Sequence, residues 1–261
     1  MRRPIPPEFR WSLGLTAILV GFVLLPLVGA LAQSWAFSGS GGPGLGESVG
    51  YLLRHYGSWL LFSLGVSLVA LTVCLAVGVV SAYVLVCHPF PGSRLLEEVA
   101  LLPLSLPGIA LSIALVGAYG SWRGPWLVLA GHALVTLPFM IRIVSSALRT
   151  SDVGALEEAA RGLGAGPWQR ARLVVLPSLR HSILVGSLVV LAVSWGEFNV
   201  SYLLNRGELQ TFPAALYNTF ANETSVRSGA ALLLFLGIAL PLGLAVQGVG
   251  GSGEAAGEEA A

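Results

Sequence analysis

The sequence predicts an all-α membrane protein, a bundle of six crossing helices. Three observations carry that prediction. The 261 residues are 55% hydrophobic and only 10% charged, where an average soluble domain is about 25% charged. Six apolar stretches are each long enough to cross a bilayer core, which takes about 20 helical residues. The arginines gather in alternate connections between those stretches.

Inside lipid every backbone polar group must be bonded within its own segment, so each apolar stretch reads as a helix. The first runs from about Trp11 to Ala32 and the second from about Ser58 to Val86. The third covers Leu95 to Tyr119, interrupted by Pro103 and Pro107, and the fourth Pro125 to Leu148. The fifth spans Ser182 to Leu204 and the sixth Arg227 to Val249. Arg2 and Arg3 precede the first stretch and Ala30-Leu31-Ala32 closes it, as in a secretory signal peptide. Its apolar run exceeds the ~7–15 residues of a signal peptide, which favours a retained anchor over a cleaved leader. Ser38 to Gly44 are all serine, glycine or proline and read as a flexible connection. The segment 250–261 is acidic and of low complexity and is expected to be disordered, leaving 1–249 as the transmembrane domain.

Arginine placement orients the bundle. With the N-terminus inside, Arg2, Arg3, Arg10, Arg94, Arg142, Arg149, Arg161, Arg170, Arg172 and Arg180 fall on the inner side. Only Arg54, Arg123, Arg206 and Arg227 fall outside. The positive-inside rule then places both termini and the connection 151–180 in the cytoplasm.

All 14 basic residues are arginine. A phosphate-binding loop needs a lysine to reach the nucleotide phosphates, so any ATP that drives this chain is hydrolysed elsewhere. Cys74 and Cys87 are about 20 Å apart along one continuous helix, too far to pair. No metal-ligand cluster or nucleophile–base set stands out, and no aromatic-interleaved basic patch suggests nucleic acid.

The connection 151–180 reads SDVGALEEAARGLGAGPWQRARLVVLPSLR. Asp152 is placed to cap a short helix over about Val153 to Leu163. Gly164 suits the left-handed position that ends a helix, and Pro167 prevents resumption. A second short helix can start at Pro167, where a missing N–H costs nothing, and Pro177 is expected to close it. Leu156, Ala159, Ala160 and Leu163 share one face by helical spacing, with Glu157, Glu158 and Arg161 towards the other side. By periodicity alone this is an amphipathic helix lying against the bundle's own inner end.

Glu158-Ala159-Ala160 followed by Gly164, with Val174-Val175-Leu176-Pro177 beyond, resembles the EAA loop of the permease subunits of binding-protein-dependent ABC importers. Leu137-Pro138-Phe139 through Arg149, the proline-broken third stretch and Ser194-Trp195-Gly196-Glu197-Phe198 are similar too, so about residues 57–247 fit. The resemblance implies the six-helix permease bundle with a short cytoplasmic coupling helix. It implies ABC ATPase subunits that dock on Leu156, Glu157, Glu158, Ala159, Ala160, Arg161, Leu163 and Gly164. ATP and Mg are expected on that partner, no cofactor on this chain, and no enzymatic activity of its own. It further implies a second permease subunit, identical or not, a solute-binding protein, and a bacterial or archaeal inner membrane. Within its polyamine, iron, thiamine and sulfate branch, Asn199-Val200-Ser201 departs from the anion-type pattern and Thr211-Phe212-Pro213 leans to the polyamine type.

Inside the membrane, Pro103 and Pro107 free backbone carbonyls, as either a packed kink or a cavity lining. A lipid-facing Glu197 would be costly, so it faces the bundle interior. It either lines a solute pathway with Asn199 and Tyr202 or bonds a neighbouring helix, Arg206 or Arg227. His132 among apolar residues reads as a satisfied core histidine. A secondary transporter or channel is the alternative function. It would need an ion relay for which Glu197 alone is thin support.

Overall fold

The computed structural model describes residues 44–205, 210–222 and 225–258, together with fifteen residues scattered between Trp11 and Trp35. Every regular element among them is helical. The scattered residues of the first apolar stretch are all helical. Arg2, Arg3, Arg10, Arg206 and most of the glycine-rich connection lie outside the described residues.

Helix α1 (Leu45–Val73) passes through a wide π turn at Cys74–Gly78 into α2 (Val79–Cys87), giving one 42-residue apolar run from Gly46 to Cys87. Next come α3 (Ser93–Leu101) and, after a 3-10 turn at Leu102–Ser105, α4 (Gly108–Tyr119). The chain bends by 108° between the two limbs, so the third stretch is a broken pair and not one straight span. Pro107 is extended and caps α4 from outside, as a proline must when its ring blocks a continuing helix. Helix α5 (Pro125–Thr150) matches the fourth stretch. Then follow α6 (Val153–Gly162), α7 (Pro167–Arg170), a π turn at Ala171–Val175 and α8 (Leu176–Gly196). A short α9 (Asn199–Leu204), α10 (Phe212–Asn222) and α11 (Ser225–Glu258) complete the chain. The described residues thus hold four continuous helices long and apolar enough to cross a membrane, plus the broken pair.

The fifth span differs from its expected limits of 182–204. It runs from Pro167 to Gly196 and stops there. Pro177 does not close α7. The preceding π turn bonds Leu176 N–H to Ala171 O, and Pro177 falls in the first turn of α8, where a missing N–H costs little. Helix α11 runs on to Glu258 where irregular chain is expected from 250.

Tyr56–Ala215 with Phe235–Ala261 forms one compact unit, and residues up to His55 with Leu216–Leu234 form another. In the second of these, the smaller, Arg227 lies over the Tyr51 ring at 3.7 Å. The larger holds two apolar clusters. One joins Cys74, Val79 and Ala82 to Met140, Ile141, Val144 and Leu148 of α5 and to Val175, Leu179 and Val190. The other joins Val66 to Leu127 and Val128 of α5 and Val200 and Leu204 of α9. Helices in lipid gain little from the hydrophobic effect and pack through small residues. A Cβ on Gly186 would fall 2.8 Å from Met140 Sδ, and one on Gly78 3.0 Å from Met140 Cγ. Met140 is therefore wedged between two glycines. Both cysteines are free.

Candidate functional site

Helix α6 is held as a rigid, one-sided element. Val153 and Glu157 are buried, one turn apart, and Ala160 is half-buried on the same side. The opposite face carries Leu156, 52% exposed, Ala159 and Leu163, 90% exposed, with Glu158 and Arg161 beside them in solvent. The predicted stripe thus holds for Leu156, Ala159 and Leu163, while Ala160 turns inward. Asp152 precedes the helix but its side chain makes no cap bond; its carbonyl accepts from Leu156 N–H. At the other end Gly164 has φ +85°, Ala165 N–H donates to Ala160 O and Gly164 N–H to Arg161 O. Those two bonds form the Schellman ending, in which glycine avoids the Cβ penalty of the left-handed region.

Glu157 corrects the sequence reading. It is only 8% exposed, so it does not belong to the outward surface with Glu158. The Tyr83 hydroxyl donates to its Oε1 at 2.6 Å, and Arg170 Nε stands 3.5 Å from the same oxygen. A cleft of about 530 Å3 opens beside this cluster, its wall including Val86, Cys87, His88, Asp152 and Arg170. Gln169 Oε1 accepts from Gly166 N–H at 2.9 Å and fixes the start of α7. Arg149 pairs with Glu97 at 2.6 Å, tying the end of α5 to α3.

The second candidate region gathers the two helix breaks. Gly196 ends α8, Glu197 is extended, and α9 restarts two residues later. Glu197 Oε1 accepts from Val200 N–H at 3.0 Å, so the carboxylate caps α9. A Cβ on Gly108, the first residue of α4, would lie 3.2 Å from Asn199 Nδ2 and 3.7 Å from Glu197 Oε1. The structure therefore brings Pro107, Glu197 and Asn199 together. Tyr202 is partly exposed and stacks on Phe198 with centroids 5.0 Å apart. Pro103 lies in the 3-10 turn before the break. Leu203 and Leu204 carbonyls at the end of α9 accept from Arg123 and from Gly124 N–H.

His132 supports this break from below. It is 1% exposed, as a satisfied core histidine should be. Nδ1 meets Ser194 Oγ at 2.9 Å and Nε2 meets Ser201 Oγ at 2.8 Å. One serine lies on each side of the Glu197 break, so a single α5 ring grips α8 and α9. Two hydroxyls can supply the donor and the acceptor that the ring's two nitrogens need. Thr136 Oγ1 donates to His132 O at 2.7 Å and meets Cys74 Sγ at 3.3 Å, continuing the polar chain to the π turn. Tyr83 and Gly108 escaped sequence reasoning, as did the pairing of His132 with these serines, because each partner lies tens of residues away and no local period marks it.

Apolar crossing helices, a broken helix pair at a buried polar junction and a rigid loop helix with an exposed apolar face define a membrane transport component. Residues 75–249 match the family described as binding-protein-dependent transport system inner membrane component. The chain belongs to that family, the permeases of ABC importers. It is 37% identical over 205 residues to the molybdenum transport system permease protein ModB of Escherichia coli K12, covering 70% of this chain and 87% of ModB. It is 32% identical over 203 residues to the sulfate transport system permease protein CysW of Synechocystis sp., covering 70% and 73%. In fold it is similar to a chain of the inward-facing MetNI methionine ABC transporter, with TM-score 0.60, 19% identity and coverage of 76% and 95%. The lean to a polyamine-type solute from Thr211-Phe212-Pro213 finds no support in these relatives, whose solutes carry molybdenum or sulfate. That tripeptide takes part in packing: Phe212 N–H donates to Ser63 Oγ, and its ring stacks on Trp195.

Proposed function

We propose that this chain pairs with a second permease subunit to carry a small tetrahedral oxyanion, delivered by a binding protein and driven by ABC ATPase subunits on the cytoplasmic side. The observation that carries the ATPase contact is Leu163, 90% exposed at the tip of a helix whose other face is fixed. Fully burying one leucine is worth about 1.5–3 kcal/mol, so a rigid, exposed Leu156–Ala159–Leu163 face is well suited to cover by a partner. Glu158 and Arg161 flank it with opposite charges, and Gly164 keeps the turn beneath it close. Glu157 anchors and does not dock. The oxyanion class rests on the sulfate relative and on the molybdenum relative, since molybdenum in neutral water is a tetrahedral oxyanion. Both termini are assigned to the cytoplasm from the arginine asymmetry. Glu197, Asn199, Tyr202, Pro103 and Pro107 border the pathway at the helix breaks.

The test reconstitutes the chain with candidate ABC ATPase subunits and a candidate binding protein from the same organism. ATP hydrolysis is measured with the binding protein loaded with molybdate, sulfate or putrescine. Stimulation by an oxyanion and not by putrescine is the expected result. Failure of any ATPase to co-purify refutes the permease–ATPase pairing, and stimulation by putrescine alone refutes the oxyanion assignment.

A further inference from the structure

We propose that Tyr83, Glu157 and Arg170 form a strap that carries displacement of α6 to the Gly46–Cys87 span, which is not its neighbour in sequence. The proposal rests on the reading of α6 as the ATPase contact. Covalent connection alone links α6 to α5 on one side and to α7 and α8 on the other. A push on α6 would then move the fourth and fifth spans and reach the second only through packing.

Two attachments join α6 to the second span. Val153 packs in the apolar cluster with Tyr83 and Val86. One turn later, Glu157 accepts the Tyr83 hydroxyl at 2.6 Å. The Tyr83 ring is itself braced edge-on by His88, with centroids 5.2 Å apart. The 530 Å3 cleft opens beside this bond, lined by Val86, Cys87 and His88 from the second span and by Glu157, Glu158 and Arg161 from α6. Hydrogen bonds to an ionised carboxylate are short and directional, and they transmit a pull that a slipping apolar contact does not. Arg170 closes the strap from α7. Its Nε is buried, stands 3.5 Å from Glu157 Oε1 and has no hydrogen-bond partner among the described residues. The three groups tie the second span, α6 and the foot of the fifth span to one oxygen. Glu157 and Tyr83 are positioning residues, since neither touches solute or nucleotide.

The experiment uses the complete complex in lipid, in a Cys87→Ser background. One reporter is Leu61→Cys, exposed on the second span, and the other Trp126→Cys, exposed at the start of α5. The readout is the change in maleimide labelling rate on adding MgATP. With the strap intact, both reporters respond. Tyr83→Phe should cut the Leu61→Cys response by about tenfold, the factor of one lost charge-assisted bond, and spare Trp126→Cys. Glu157→Ala should do the same. Glu157→Gln keeps an acceptor oxygen for Tyr83 and should retain most of the response. A Tyr83→Phe complex whose Leu61→Cys responds like the parent overturns the proposal. So does equal loss at both reporters, which would mark general loosening. If MgATP moves neither reporter with the strap intact, the ATPase reading falls and takes the strap with it.

Discussion

Adding one methyl group at Gly131 should loosen the grip of α5 on the broken fifth span. A Cβ there would stand 2.5 Å from Val200 Cγ1 and 2.9 Å from Leu204 Cδ1. Carbon atoms rest at about 3.5–4.0 Å, so α9 must withdraw by about 1 Å. Rotation cannot relieve it, because valine is stiff at χ1 and both Val200 and Leu204 are fully buried. The same retreat would stretch the 2.8 Å His132 Nε2–Ser201 Oγ bond beyond hydrogen-bonding range. Overpacking costs about 1–3 kcal/mol, and a buried side-chain bond in a membrane protein adds about 0.6 kcal/mol. At about 2–4 °C per kcal/mol for a chain of this size, the melting temperature should fall by about 5 °C. Thermal melting of the purified protein in detergent, followed by tryptophan fluorescence, measures this. Ser201→Ala alone should cost less, and in the Gly131→Ala background it should cost nothing further, since the bond is already lost. Gly117→Ala on α4, where a Cβ meets nothing within 4 Å, should not lower the melting temperature. Wild-type melting of Gly131→Ala, or additive losses with Ser201→Ala, would refute the packing argument.

Other substitutions separate coupling from folding. Ala159→Trp, on the exposed face of α6, should leave melting within about 0.5 kcal/mol of wild type while abolishing ATPase stimulation by loaded binding protein. Gly164→Val, at φ +85°, should strain the Schellman ending by about 1–2 kcal/mol and also uncouple. Normal stimulation in both would show that α6 is not the coupling element. Glu197→Gln keeps the oxygen that caps Val200 N–H, so folding should hold while uptake changes; normal uptake would leave only the capping role. A reporter fused after Val249 should be active only when targeted to the cytoplasm, and periplasmic activity would reverse the assigned topology.

Residues whose message is local were legible in the sequence. Gly164 and Pro167 fix the end of one helix and the start of the next through their own backbone constraints, and both stand where the spacing puts them. The span Pro125–Thr150 follows from apolar length alone. Pro177 misled because a proline stands at the start of a helix without loss, and here the π turn before it leads directly into α8. The break at Glu197 was invisible because the apolar run continues through Val200, Leu203 and Leu204; His132, more than 60 residues earlier, bonds serines on both sides of it. Glu157 and Glu158 are adjacent carboxylates that composition cannot tell apart. Tyr83, 74 residues away, decides which one turns inward.

The wedge of Met140 between Gly78 and Gly186 has a practical consequence. The chain holds only two methionines, and the other is residue 1. A single isotopically labelled methyl group therefore sits in the centre of the bundle, touching two other helices through glycines that carry no side chain of their own. Its resonance would report the separation of three helices at once, without introducing any foreign probe.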